Sequence, residues 1–180
     1  SVRTGLAAGP YSITVSDTAG CSSVVFDTIT EPSALASTKT LVDPLCNSGT
    51  NGSVTLNITG GTPNASGAPY TYAWSPNVSS TNSATGLASG RYIITTTDAN
   101  GCTRIDTADL ANPAPLALTM GSVAVSCFGV CDGEASVTVT GGTPTYTYLW
   151  SNGANGATIS NLCAGWYRVT VTDANNCTGI

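Results

Sequence analysis

Residues 87–102 read LASGRYIITTTDANGC, and two close copies of this stretch occur in the chain: LAAGPYSITVSDTAGC at residues 6–21 and LCAGWYRVTVTDANNC at residues 162–177. The cysteines that end the first two copies, Cys21 and Cys102, are 81 residues apart. A period of this length, about the size of a small β domain, is typical of tandem domains in one chain. The repetition indicates that function depends on length, stiffness and surface rather than on a single pocket.

The repeated unit has the pattern of β-strands. Apolar or aromatic residues alternate with polar ones in residues 53–59, 70–74 and 91–98, and no window has a sustained helical period. The turn motif Gly-Gly-Thr-Pro of residues 60–63 recurs at residues 141–144. About seven short strands in roughly 80 residues, with a tryptophan on the third, are typical of an immunoglobulin-like sandwich. We therefore predict an all-β fold of tandem immunoglobulin-like β-sandwich repeats, arranged as an elongated rod.

Five aromatic residues at equivalent positions are the predicted core anchors. Their alternation on strands places them on inner faces, and the tyrosines stand where the sixth strand begins, like the tyrosine corner of immunoglobulin-like folds. The alternative is that these aromatics form a ligand-binding face. The predicted anchors are Trp74, Trp150, Tyr11, Tyr92 and Tyr167.

Proline-containing junctions near Glu31–Ala34 and Asn112–Leu116 divide the chain into three parts. We expect the C-terminal part of a first repeat in residues 1–32, a complete second repeat in residues 33–114, and a third repeat lacking most of its last strand in residues 115–180. The junctions are too short for free rotation between bulky domains, which predicts nearly collinear repeat axes. Because the sequence begins and ends inside a repeat, we expect it to be a piece of a longer protein.

Composition argues against several functions. Only 8% of the residues are charged, with five Lys and Arg against ten Asp and Glu. Nucleic acids and anionic membranes both attract basic residues, so neither partner is expected, and no apolar run is long enough for membrane insertion. The chain lacks histidine, a Gly-x-Ser-x-Gly motif and a P-loop. The neighbouring acids Asp132 and Glu134 lie in a predicted turn, so we expect no enzymatic activity.

Seven cysteines without any histidine favour disulfides in an oxidising compartment. Zinc is the alternative, but Cys127 and Cys131 are four residues apart and lack a second matching pair. Cys131 and Cys163 occur together in the third repeat and are missing together elsewhere. The sandwich places their two turns at the same end, within the ~5.5 Å Cα separation of a disulfide. We therefore predict a Cys131–Cys163 disulfide.

A second disulfide is predicted between Cys46 and Cys177, across the junction between the second and third repeats. Pairing within a repeat, Cys46 with Cys102, would have to span the length of a strand, about 17–20 Å, which exceeds the reach of a disulfide. When the last strand of one repeat runs directly into the first strand of the next, the bottom of one repeat faces the top of its successor. By the same rule Cys21, Cys102 and Cys127 need partners outside this sequence.

An aspartate recurs at the end of the sixth strand, as Asp17, Asp98 and Asp173. One interpretation is a calcium ligand that acts with the carbonyl groups of Asn100 or Asn175, although calcium takes about six to eight oxygen ligands. The other is an Asx-turn that closes the hairpin and needs only the aspartate. We favour the turn and expect no cofactor, with calcium as the alternative.

Trp166 departs from the repeat pattern, because Pro10 and Arg91 stand at the equivalent positions. Alternation with Tyr167 points it outward, where it could stack on a sugar or pack against an adjacent repeat or chain. A single tryptophan makes no platform for a ligand, so we favour packing.

The third repeat resembles a known family. Its segment Cys127–Gly133, the SVTVTGGTP of residues 136–144, the YTYLWS of residues 146–151 and the GWYRVTVTDAN of residues 165–175 are similar to SprB repeats. These repeats occur in very large surface adhesins of Bacteroidota, including a gliding-motility adhesin exported by type IX secretion. The repeat is also similar to polycystic-kidney-disease (PKD) domains, which serve as spacers in secreted enzymes. The resemblance implies an extracellular, cell-anchored, multi-domain fibre.

The resemblance also implies a glycoprotein. Bacteroidota attach O-glycans at Asp-Thr followed by an aliphatic or small residue, and three threonines fit this pattern: Thr18, Thr28 and Thr107.

We therefore expect a structural and adhesive segment of a very large secreted or cell-surface fibre, whose rigid, disulfide-stapled repeats present a distal adhesive region. The expected partners are neighbouring repeats, other fibre chains, and surface glycans or polysaccharide. The alternative is a string of carbohydrate-binding or spacer modules on a secreted polysaccharide-degrading enzyme. Carbohydrate binding would need a coplanar row of exposed aromatics, of which the sequence offers only Trp166.

Overall fold

The computed structural model describes residues 2–180, which form fourteen β-strands and no helix, so the predicted all-β class is confirmed. None of these residues belongs to a helix that could span a lipid bilayer. The strands are β1 (Gly9–Ser16), β2 (Ser22–Ile29), β3 (Ala36–Val42), β4 (Gly52–Thr59), β5 (Thr71–Ser75), β6 (Ser83–Leu87), β7 (Gly90–Thr97), β8 (Thr103–Leu110), β9 (Ala117–Val123), β10 (Gly133–Thr140), β11 (Thr147–Trp150), β12 (Thr158–Leu162), β13 (Val169–Thr172) and β14 (Thr178–Gly179).

The strands of the described chain pair in small antiparallel sheets. β1 and β2 form a two-stranded hairpin. Strands β3 to β8, which we call the second repeat, form two three-stranded sheets with the orders β3-β4-β6 and β5-β7-β8. Strands β9 to β14, the third repeat, form the matching sheets β9-β10-β12 and β11-β13-β14. The equal strand orders show that the two sequence repeats fold in the same way.

The two sheets of the second repeat enclose one apolar core. Its buried side chains come from both sheets and include Val54, Leu56, Trp74 and Ile94. Trp74 also donates its indole N–H to the carbonyl oxygen of Thr81 at 2.8 Å, which satisfies the one polar atom of the ring. A core shared by two facing sheets is the arrangement of a β-sandwich.

The core of the third repeat is built in the same way. Trp150, 2% exposed, packs with Val137, Val169 and Val171 from both sheets. Its indole N–H donates to the carbonyl oxygen of Gly156 at 2.9 Å. Both predicted tryptophan anchors therefore lie in the cores.

The three predicted tyrosine anchors share one hydrogen bond, in which the hydroxyl donates to the carbonyl oxygen four residues upstream. This is the bond of a tyrosine corner. Tyr92 is buried in the core of the second repeat, Tyr167 is half-buried against the core of the third repeat, and Tyr11 belongs to neither core. The bonds are Tyr11–Ala7 at 2.8 Å, Tyr92–Ala88 at 3.0 Å and Tyr167–Cys163 at 3.1 Å.

The second repeat has six strands rather than about seven. Residues 76–82, between β5 and β6, form no strand, and polar side chains in this segment bond carbonyl oxygens of β6 and β4. The Ser79 hydroxyl donates to the Ser83 carbonyl oxygen at 2.6 Å, and the Asn82 amide donates to the Leu56 carbonyl oxygen at 2.9 Å. The expected strand through Tyr167 is also shorter, since β13 begins only at Val169.

Candidate functional site at the repeat junction

A disulfide between Cys46 and Cys177 crosses the junction between the second and third repeats, with a Cα–Cα distance of 5.6 Å. Cys46 lies in the loop between β3 and β4, residues 43–51, which we name the cysteine loop. Cys177 lies in the turn between β13 and β14, residues 173–177, which we name the aspartate turn. The structure thus contains the cross-junction disulfide expected from the sequence and leaves Cys102 free.

The cysteine loop also contacts the linker between the repeats, residues 111–116, which carries no strand. The Asp43 carboxylate accepts the backbone N–H of Ala111 at 2.7 Å. The Asn47 side-chain amide donates to the carbonyl oxygen of Pro113 at 2.9 Å. Since the linker has no strand partner, these bonds to the loop hold its path.

The aspartate turn presents its cysteine to the loop. Oδ1 of Asp173 accepts the backbone N–H groups of Asn175 and Cys177 at 2.9 and 2.8 Å. Oδ2 accepts the backbone N–H of Thr143 at 2.8 Å. The Asn175 side-chain amide then donates to the carbonyl oxygen of Leu45 in the cysteine loop at 3.3 Å. One carboxylate therefore ties the turn to its own repeat while the turn contacts the neighbouring repeat.

Two equivalent aspartates build the same turn. Asp98 accepts the backbone N–H groups of Cys102 at 2.8 Å and of Thr62 at 2.9 Å. Asp17, in the exposed hairpin, accepts the backbone N–H of Cys21 at 2.9 Å. All three aspartates thus fix the position of the cysteine four residues later.

Backbone donors hold the pKa of Asp98 and Asp173 below the usual value. Both side chains are buried, 6% and 4% exposed. The largest cause of the lowered pKa is the N–H of Thr62 for Asp98 and the N–H of Thr143 for Asp173, while burial acts in the opposite direction. Each carboxylate is therefore an anion whose charge is stabilised by the fold.

The Gly-Gly-Thr-Pro motif contains the threonine whose backbone N–H is the largest cause of the lowered aspartate pKa. Gly61 and Gly142, at φ +65° and +61°, allow the turn to bring a threonine N–H onto the carboxylate. A Cβ at either glycine would lie 2.9 Å from Oδ2 of Asp98 or Asp173. Both motifs stand out in the sequence, but their contact does not. The one sign of it in the sequence is that the two motifs recur together.

The hydrogen bonds of Asp98 and Asp173 are those that the turn interpretation requires. Backbone N–H donors face both oxygens of each carboxylate. Among residues 2–180, no group of three or more His, Cys, Asp or Glu side chains could hold a metal ion.

The structure also contains the expected Cys131–Cys163 disulfide. It ties the cysteine loop of the third repeat, residues 124–132, to the segment that follows β12. The second repeat has Thr50 and Ala88 at the equivalent positions. The bond therefore adds a constraint that the second repeat does without.

Trp166 points outward, as expected, and is fully exposed. It lines a groove of about 500 Å³ together with Gly133. In the second repeat, Leu110 of β8 packs beside Gly52, the equivalent of Gly133. The groove thus corresponds to the position that β8 fills in the second repeat.

The three threonines of the Asp-Thr motifs are exposed. Thr18 lies in the turn between β1 and β2, Thr28 on β2 and Thr107 on β8.

Paired three-stranded sheets around separate cores, joined by a disulfide across the linker, define the chain as tandem β-sandwich repeats. Residues 38–79 and 122–155 each match the family model of the SprB repeat, in agreement with the resemblance drawn from the sequence. SprB repeats are a structural repeat family, not an enzyme family, and are found in cell-surface proteins. No curated protein matches the chain significantly.

Proposed function

We propose that the chain is a stiff structural segment of an extracellular adhesive fibre, whose repeats lie end to end as a rod. The observation that carries this proposal is the Cys46–Cys177 disulfide. It joins the cysteine loop of one repeat to the aspartate turn of its successor. A chain built by repeating this junction extends by one sandwich at each step, with boundaries at the linkers 30–35 and 111–116.

Stiffness follows from the number of connections at the junction. A linker alone leaves two domains free to hinge and twist about it. The second covalent connection, between Cys46 and Cys177, restrains that hinge, and the bonds of Asp43 and Asn47 to the linker restrain the remaining twist. A pull along the fibre would be shared between the linker and the disulfide.

The strand topology and the disulfides also support an extracellular fibre of sandwich repeats. The sheet orders and the tyrosine corners support an immunoglobulin-like, PKD-like sandwich. Two disulfides suit an oxidising, extracellular compartment. By resemblance we assign the fibre to type IX secretion and to surface adhesion of the kind used in gliding, with O-glycans at the exposed Asp-Thr motifs and an adhesive region beyond these repeats.

Small-angle X-ray scattering tests the proposal. We expect the oxidised chain to scatter as a narrow rod. The double variant Cys46→Ser/Cys177→Ser should keep both cores but scatter as two bodies joined by a hinge, because only the linker then connects them. The variant Cys131→Ser/Cys163→Ser is the matched control, since its disulfide lies within one repeat and its loss should leave the rod unchanged. A compact globule would contradict the proposal.

A further inference from the structure

The two parts of the junction, the cysteine loop and the aspartate turn, also occur elsewhere in the chain with an unbonded cysteine. The cysteine loop of the third repeat has the shape of the bonded loop, because two equivalent hydrogen bonds close each loop: a backbone N–H to the cysteine carbonyl oxygen and a backbone N–H to an Asn or Asp side chain. The pairs are Gly49–Cys46 and Leu45–Asn51 in the second repeat, and Val130–Cys127 and Ser126–Asp132 in the third. Cys127 is thus held as Cys46 is held, yet it is exposed and free.

The other half of the junction is repeated as well. The aspartate turns that hold Cys21 and Cys102 have the same carboxylate-to-cysteine hydrogen bond as the turn that holds Cys177, at 2.9, 2.8 and 2.8 Å. Both cysteines are exposed and free. A turn that is formed before any disulfide is made pays no ordering cost when the bond closes.

The surface around Cys127 differs from that around Cys46 in one respect. Phe128 and Val130 stand where the second repeat has Asn47 and Gly49, and the Phe128 side chain is fully exposed. In the bonded junction Asn47 contacts the linker at Pro113. An apolar pair at this position suits a partner that covers it, with a linker that offers apolar side chains instead of a hydrogen bond.

We propose that Cys127 forms a disulfide with the aspartate-turn cysteine of a further SprB repeat, whose linker packs on Phe128 and Val130. Cys21 and Cys102 are the complementary halves. Each bonds the cysteine-loop cysteine of the repeat that precedes its own. The inference rests on the proposed function, and it adds the partner and the orientation: a cysteine loop always bonds the aspartate turn of the repeat that follows it.

The chemistry is two thiol–disulfide exchanges with a small-molecule disulfide such as glutathione disulfide. The thiolate of one cysteine attacks glutathione disulfide and releases one glutathione thiolate. The second cysteine thiolate then attacks the protein sulfur of this mixed disulfide and releases the other glutathione. Two protein thiols are oxidised to one disulfide, and one glutathione disulfide is reduced to two thiols.

An extended chain tests the proposal, made of residues 1–178 followed by a second copy of residues 104–180. It completes the last strand of the third repeat and places a second Cys177 beyond Cys127, across a copy of the observed linker. After oxidation with glutathione disulfide, denaturation and alkylation, we expect three reactive thiols, as in the original chain, and a peptide in which Cys127 is linked to the second Cys177.

Without the proposed bond, five thiols would react: the three that are free in the original chain, and the second copies of Cys127 and Cys177. Cys127→Ser in the extended chain is the control and should leave the second Cys177 reactive. A second extension, residues 1–178 followed by residues 23–110, supplies a different last strand and a second Cys102 as the partner. Five reactive thiols in both extended chains, or any other partner for Cys127, would overturn the proposal, whereas scattering as a rod would still support the proposed function.

Discussion

At the scale of single residues, Asp98 and Asp173 determine the form of each aspartate turn. Each carboxylate joins its own turn to the Gly-Gly-Thr-Pro turn earlier in the chain, and the bonded partners are 36 and 30 positions apart. The buried anion replaces its lost hydration with backbone N–H donors. An asparagine of equal size would lose the charge that strengthens these bonds, and its NH2 group would replace one of the two acceptor oxygens.

We predict that Asp98→Asn weakens the acid sensitivity of the second repeat. The folded-state pKa of Asp98 is lowered, so the stability it contributes is fully present above the unfolded pKa of about 3.9 and is lost as the pH falls through the folded pKa. Thermal melts at neutral and acidic pH should show a lower Tm for the variant at neutral pH and a smaller decrease on acidification. Asp17→Asn, in the exposed hairpin, is the control. An equal decrease of Tm on acidification in wild type and Asp98→Asn would show that the Asp98 carboxylate does not cause the acid sensitivity.

The sequence predicts the turn at these aspartates but not the third hydrogen bond. The bonds of Asp98 to its own turn depend on the sequence within four residues, which a local motif can report. The bond to Thr62 depends on where the turn after β4 lies relative to β7. That position is set by the packing of two sheets around Trp74 and Ile94, which no local pattern specifies.

At the scale of the turns and loops, the Gly-Gly-Thr-Pro turn is the element that completes each aspartate site. Its second glycine meets two demands at once, a positive φ and a close approach to a carboxylate. Gly67 lies in the longer loop that follows and meets only the first demand, since a Cβ there would have nothing within 4 Å. Substitutions at the two glycines therefore distinguish the free-energy cost of a positive φ from the cost of a close contact.

We predict that Gly61→Ala destabilises the second repeat more than Gly67→Ala. Both variants place alanine at a positive φ, which costs roughly 1–2 kcal/mol. Gly61→Ala should cost more because its Cβ would lie 2.8 Å from Cδ2 of Leu35 and 2.9 Å from the Asp98 carboxylate. Urea unfolding midpoints measure the difference, and equal midpoints for the two variants would show that the contact carries no weight.

The cysteine loop of the third repeat gives a second prediction at this scale. The variant Cys131→Thr/Cys163→Ala restores the residues that the second repeat has at these positions. We expect it to lower the free energy of unfolding of the third repeat by about 2–4 kcal/mol, because the disulfide restricts the unfolded chain. Urea denaturation should show this loss while the Cys46–Cys177 bond stays intact, and an unchanged midpoint would be evidence that the loop is already ordered without the bond.

At the scale of the whole molecule, the order of the repeats explains why the cysteines pair across a junction. The sequence predicts this pairing because the length of a strand separates Cys46 from Cys102, and that argument needs only strand count and direction. It does not predict the contacts around the bond. The contacts of Asn47 with Pro113 and of Ser48 with the Asn112 side chain depend on the path of a linker without regular structure. The absence of a seventh strand likewise depends on how residues 76–82 bond to β4 and β6, which no local pattern specifies.

Peptide mapping of the oxidised, alkylated chain under non-reducing conditions decides whether a disulfide joins successive repeats. We expect a linked pair of peptides containing Cys46 and Cys177, with Cys102 recovered as an alkylated thiol. Recovery of Cys46 linked to Cys102 would instead show that the disulfide lies within a single repeat.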